Sequence, residues 1–149
     1  MLMTGSGPLD AERAFTRARR SRRRAALARR LRRETQGGAE LAVYEERALA
    51  SAPAQPGRGI REIPLEAIGG TLEPSRAALF DGCFRPAARA RCRWQRLWLA
   101  EHRGEVLPPI SVVAVGGAYA IRDGHHRVSV AAARGASTID ATVEVAAVS

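Results

Sequence analysis

Small and β-branched residues alternate over Ile110 to Val115 and again over Ala118 to Ile121, a period-two pattern that predicts two β-strands. Gly116-Gly117 between them is a two-residue hairpin signal. Residues 60–65 and 139–145 read as two further strands. Helical spacing predicts a helix over Ala87 to His102, with Trp94, Leu97, Trp98 and Leu99 on its buried side. Gly104 and Pro108-Pro109 close it off. A short helix starts after Pro74, over Ser75 to Ala78, and an alanine-rich helix covers 125–134 until Gly135 stops it. The order from 60 to 145 is strand, helices, hairpin, helix, strand, with no internal repeat.

The first third of the chain is patterned differently. Residues 1–8 read as a disordered start. Asp10 is placed to cap a helix over 11–34, since its carboxylate can accept orphan N–H groups. Phe15, Leu27 and Leu31 give that helix a thin apolar stripe, and Arg stands on nearly every face. It is therefore expected to bury little. Gly37-Gly38 ends it, 39–50 reads as a second amphipathic helix, and Ser51 to Gly59 reads as a linker. The expected organisation is a basic helical extension and linker over 1–59, then a folded domain over 60–149.

Charge sharpens this division. The net charge is +9. Residues 11–34 hold 11 Arg against Glu12 and Glu34, and the remainder is balanced. There is no lysine, which with abundant Ala and Gly points to a GC-rich coding bias. The candidate nucleic-acid contacts are Arg19, Arg20, Arg22, Arg23, Arg24, Arg29 and Arg30, which would release counterions from phosphates. Aromatic interleaving is limited to Phe15, so base stacking has no support in that segment. An inert solvated tail, or an arm for an acidic protein or membrane surface, stays open beside the nucleic-acid reading. No apolar run reaches the roughly 20 residues of a membrane helix. Met1 to Pro8 lacks a hydrophobic signal core, so a cytoplasmic location is expected. Cys83 and Cys92 lack metal spacing and read as reduced thiols, with a disulfide left open as the alternative.

The richest chemistry lies in Asp123-Gly124-His125-His126-Arg127, where a strand ends and a helix begins. The first helical turn has unpartnered N–H groups and a partial positive charge. Gly124 would let an anion approach the main chain. Cations at a helix start are disfavoured by roughly 0.3–1 kcal/mol each, so three basic residues there imply a compensating anion. The alternative is a plain Asp-Gly turn with a solvated helix start. His125 and His126 point about 100° apart on a helix and make a poor metal pair. With His102 the only other histidine, no metal site is expected. No Walker loop, Rossmann fingerprint or nucleophile elbow is present.

Three blocks give the chain a family likeness. The first is Ile63-Pro64-Leu65-Glu66-Ala67-Ile68, followed by Pro74-Ser75-Arg76. The second is Leu107-Pro108-Pro109-Ile110-Ser111-Val112 with Gly116-Gly117-Ala118-Tyr119-Ala120-Ile121. The third is Gly124-His125-His126-Arg127 with Ala131-Ala132. In this order they resemble the nucleotide-binding N-terminal domain of the ParB/sulfiredoxin-like superfamily, over about residues 60–145. The resemblance implies a small α+β fold with a mixed sheet and packed helices, preceded here by the Arg-rich helical extension. It implies a nucleoside triphosphate ligand, ATP or CTP, with Mg²⁺ as a companion. Gly124, His125, His126 and Arg127 would form its phosphate loop, and Arg76 would reach the same phosphates from the opposite side. Charge-assisted bonds of that kind contribute on the order of 1.5–3 kcal/mol each.

The departures narrow the activity. His125 stands where ParB proteins carry glutamate and sulfiredoxins carry cysteine, so thiol chemistry is not expected at this loop. Ser149 follows the last strand, so no helix-turn-helix domain for partition-site binding is expected. The leading reading is a nucleotide-binding regulatory module associated with nucleic acid. The alternative resembles the free-serine kinase branch of the fold, a phosphotransferase or NTPase with Asp123 and Glu66 as catalytic acids. The plainer reading makes Asp123 a turn residue and Glu66 a solvent-facing strand end.

Overall fold

Pairing of the two alternating stretches builds the centre of the molecule. In the computed structural model, which describes residues 7–33, 38–45 and 59–145, β4 (Ile110–Val115) and β5 (Ala118–Asp123) pair antiparallel around the Gly116-Gly117 turn. Around them lie β1 (Ala42–Val43), β2 (Arg61–Pro64), β3 (Ile68–Thr71) and β6 (Thr138–Val145). The sheet is mixed, in the order β1-β3-β5-β4-β6-β2. β3 runs parallel to β5 and β1, β6 runs parallel to β4, and β2 pairs antiparallel with β6 at one edge. The helices are α1 (Gly7–Leu31), α2 (Pro74–Ala77), α3 (Arg91–His102) and α4 (His125–Ala133). The fold is thus α+β, with a mixed sheet and packed helices, as the family resemblance implies.

Strand β3 is absent from the sequence-based reading, because Ile-Gly-Gly-Thr carries no alternating pattern. Its glycines make sense only in three dimensions. A Cβ on Gly70 would lie 2.1 Å from the Ala42 carbonyl oxygen, so a side chain there would expel β1. The same pairing corrects the helix predicted over 39–50. Residues 39–45 are not helical, Leu41 is buried, and Ala42–Val43 pairs with Gly70 and Thr71. Burial of Leu41 and a parallel partner outweigh the modest helix propensity of that stretch. Residues 46–50, the Gly37 stop, residues 51–58 of the predicted linker and residues 1–6 of the predicted disordered start lie outside the described residues, whereas Gly7 and Pro8, expected in that start, open a helix.

Helix α1 begins at Gly7, not after Asp10. Asp10 therefore sits inside the first turn, where its charge complements the helix dipole, and it is no N-cap. The expectation that α1 buries little is also corrected. Ala11, Ala14 and Phe15 are buried against α3, and Phe15 meets Trp94 edge-to-face at 5.5 Å. Small alanines let the helix axis approach closely, and Phe15 supplies the anchor. Leu27 and Leu31, expected in the apolar stripe, are instead exposed. Of the α3 residues expected inside, Trp94 is fully buried, and its indole N–H donates to Ser129 Oγ at 2.8 Å. Leu97, Trp98 and Leu99 are half-buried.

Candidate functional site

The parallel pair β3 and β5 end on the same side of the sheet. β3 leads into α2, which carries Arg76, and β5 leads through Gly124 into α4. α3 packs beside α4 and brings Arg93 and Arg96 to the same place. The result is a cleft of about 270 Å³ lined by Arg76, Arg93, Arg96, Asp123 and the residues from Gly124 to Arg127. The structure thus places Arg76 in one cleft with the 123–127 loop, an arrangement that the family resemblance implies. Arg93 and Arg96 were not foreseen; their one signal is an i, i+3 spacing beside Leu97, common to any exposed helix face. Among the described residues, no hydrogen bond or ion pair engages the side chains of Arg76, Arg93 or Arg96.

Gly124 serves the fold before it serves any ligand. Its φ of 113° and ψ of 21° lie in the left-handed region. A Cβ there would stand 2.4 Å from Ile110 Cγ2. The space that was expected to admit an anion at this carbon is occupied by buried Ile110.

The two histidines also differ from expectation. Both are buried, and both imidazoles are pushed from 6.5 down to about 4. Burial is the main cause for each. The Arg76 charge adds to it at His125, and Arg93, Arg76 and His125 add to it at His126. Asp123 pulls His125 weakly the other way. At neutral pH both are uncharged, so the premise of three clustered cations at the helix start fails. His125 Nε2 and Thr71 Oγ1 share a hydrogen bond of 2.6 Å, and Thr71 Oγ1 accepts the Glu73 N–H at 2.8 Å. That chain ties β3, the entry to α2 and α4 together. His126 packs edge-on against Phe80 at 5.1 Å.

Arg127 is turned inward. Its Nη1 donates to the carbonyls of Pro108 and Pro109 at 2.6 and 2.9 Å, and its Nη2 donates to Asp123 Oδ2 at 3.1 Å. Three of its five N–H donors can be so engaged, which makes it first a clasp between α4 and the approach to β4. Asp123 is well exposed, and beyond its pair with Arg127 it faces solvent. Glu66 lies in the 3₁₀ turn Leu65–Ala67 ahead of β3, at the opposite end of the sheet from the cleft. Of the two candidate catalytic acids, Asp123 lines the cleft and Glu66 does not.

The first turn of α4 has no side-chain cap. The residues of that turn and three arginines line one cleft, an arrangement that suits an oxyanion. Proton transfer near neutrality is poorly served, because imidazoles titrating near 4 are weak bases. Among the described residues, no three His, Cys, Asp or Glu side chains gather to hold a metal. Cys83 and Cys92 are exposed and free. No described helix is long and apolar enough to cross a membrane.

No protein-family model and no curated protein matches the chain. Among solved structures the chain is similar to sulfiredoxin from Arabidopsis thaliana, at 24% sequence identity and a TM-score of 0.41. The match covers 58% of this chain and 85% of that one, and it is a likeness of fold.

Proposed function

We propose that the cleft at the start of α4 binds the phosphate tail of a nucleoside triphosphate, and that the protein is a nucleotide-binding module. One observation carries this reading. The guanidinium groups of Arg76, Arg93 and Arg96, with no hydrogen bond or ion pair among the described residues, line one cleft with the uncapped first turn of α4. Three guanidinium groups crowded together repel one another, and a polyphosphate relieves that repulsion while filling their donor sites. The likeness of the 124–127 loop and of Arg76 to the ParB nucleotide domain points the same way.

Size adds a refinement. Sites that enclose a whole small molecule run to about 300–1,000 Å³, and this cleft is about 270 Å³. It accommodates phosphates and leaves the base outside, so ATP and CTP bind alike. Magnesium fits only in the company of phosphates, since Asp123 is the single carboxylate lining the cleft.

Calorimetric titration with ATP, CTP and inorganic tripolyphosphate, each with and without Mg²⁺, tests this. All three ligands bind the wild type. Arg76→Ala or Arg93→Ala removes about 1.5–3 kcal/mol, a loss of roughly ten- to hundredfold in affinity. A wild-type protein that none of the three ligands engages or stabilises against heat would end the proposal.

A further inference from the structure

A second and larger cleft, of about 880 Å³, opens between α1 and the far ends of α3 and α4. Arg13, Arg17 and Arg24 of α1 form one wall. Arg85 and Arg134 stand on the other side. Arg13, Arg17, Arg20 and Arg24 follow i, i+4, i+7, i+11 spacing and so fall on one face of the helix, rising about 16 Å from first to last. The same four line an adjoining surface pocket, so the basic row continues over the ridge of α1. Of these arginines, only Arg20 and Arg24 are among the seven singled out as nucleic-acid contacts from sequence. Arg22 faces elsewhere and donates to the carbonyls of Ala39 and Ala78.

The cleft also supplies the aromatic surface that residues 11–34 lack. Trp98 and His102 of α3 line it, stacked at 4.8 Å with an angle of 16° between their rings. The Arg134 guanidinium lies 5.3 Å from the Trp98 ring centre. His102 is exposed, and Trp98 covers one of its faces. The other face is the open end of a stack inside a basic cleft. Carboxylates temper the charge: Asp10 lies 4.0 Å from Arg13, Glu101 3.7 Å from Arg134, and Asp81 3.3 Å from Arg85. Arg17, Arg20 and Arg24 have no such partner among the described residues, and they lie on the row.

We infer that this cleft is a groove for single-stranded nucleic acid, with the α1 row following the phosphates and the Trp98–His102 stack receiving a base. The stack decides for a single strand. Bases of a duplex are stacked on one another and cannot reach a ring set inside a concave wall, whereas an unpaired strand offers every base face. An acidic peptide would use the arginines and leave the stack idle. The inference stands apart from nucleotide binding at the other end of α4.

Fluorescence anisotropy of the full chain with a labelled 15-nucleotide oligo-dT, measured across salt concentrations, tests it. Three phosphate contacts give a logarithmic salt slope of about −2 for a single strand. The paired reversal R17E/R24E, at exposed positions, lowers affinity at least tenfold and flattens the slope. His102→Ala lowers affinity at least fivefold and leaves the slope unchanged, because stacking releases no counterions. Cys83 lines the cleft, so in a Cys92→Ser background its alkylation by neutral iodoacetamide slows when oligo-dT is added. Far-UV circular dichroism and melting curves confirm that each variant is folded. Duplex of equal length binding as tightly, polyglutamate displacing the strand at equal charge, or unchanged affinity in folded R17E/R24E would each overturn the inference.

Discussion

The two ends of α4 face two arginine-lined clefts built on different terms. At the N-terminal end, Arg76, Arg93 and Arg96 surround buried, neutral histidines and a glycine pressed against Ile110. That cleft is made from the ends of β3 and β5, so it exists only when the sheet does. At the C-terminal end, one wall belongs to α1, which reaches the domain through Ala11, Ala14 and Phe15. The first site is set by the core. The second is set by how one helix docks on it. Arginine content alone does not separate them; what each arginine is fixed to does.

The largest test of that contrast is Phe15→Ala. Truncating a fully buried Phe costs about 3–5 kcal/mol, and Phe15 lies between Trp94 and the Arg91 guanidinium, 5.1 Å from its ring. Chemical denaturation shows that loss. At temperatures where the variant stays folded, it loses oligonucleotide binding and keeps tripolyphosphate binding. Loss of both together would break the contrast.

Gly124→Ala probes the other side. It puts an alanine at a φ of 113° and a methyl against Ile110. Strain and overpacking together cost about 2–4 kcal/mol. Here tripolyphosphate affinity falls, and the α1 cleft keeps its ligand.

The smallest effect is acid sensitivity. His125 and His126 titrate near 4 in the folded chain and near 6.5 when unfolded. The unfolded chain therefore binds protons first, and stability falls as pH drops from 6.5 towards 4. Between pH 6 and pH 5 the loss is about 1 kcal/mol per imidazole, read by urea denaturation at the two pH values. His126→Asn halves that dependence. A stability flat across this window would mean that the two rings are not held neutral by burial.

The hairpin, α3, α4 and β6 are legible in the chain, because each has an apolar face whose period matches its structure. So is the meeting of Arg76 with the loop at 123–127, though through motif likeness and not through spacing. What stayed hidden depends on partners distant in sequence. Ile68–Thr71 is a strand because Ala42 and Tyr119 flank it. Arg93 and Arg96 matter because α3 lies beside α4. The charge state of His125 and His126 follows from burial, which no local pattern reports. Helix α1 docks through alanines, and alanine marks helix propensity and close packing equally well.

Strand β2 has a temporal consequence. Among the described residues its one neighbour in the sheet is β6, and Glu62 Oε1 accepts a hydrogen bond from Thr138, 76 residues away. A ribosome adding about 5–20 residues per second needs roughly 4–15 s to make the intervening stretch. Throughout that interval Arg61–Pro64 has emerged, or is emerging, without the strand it must pair with. Translation speed between these two strands thus sets how long β2 waits without its partner, and slow codons there would lengthen that wait.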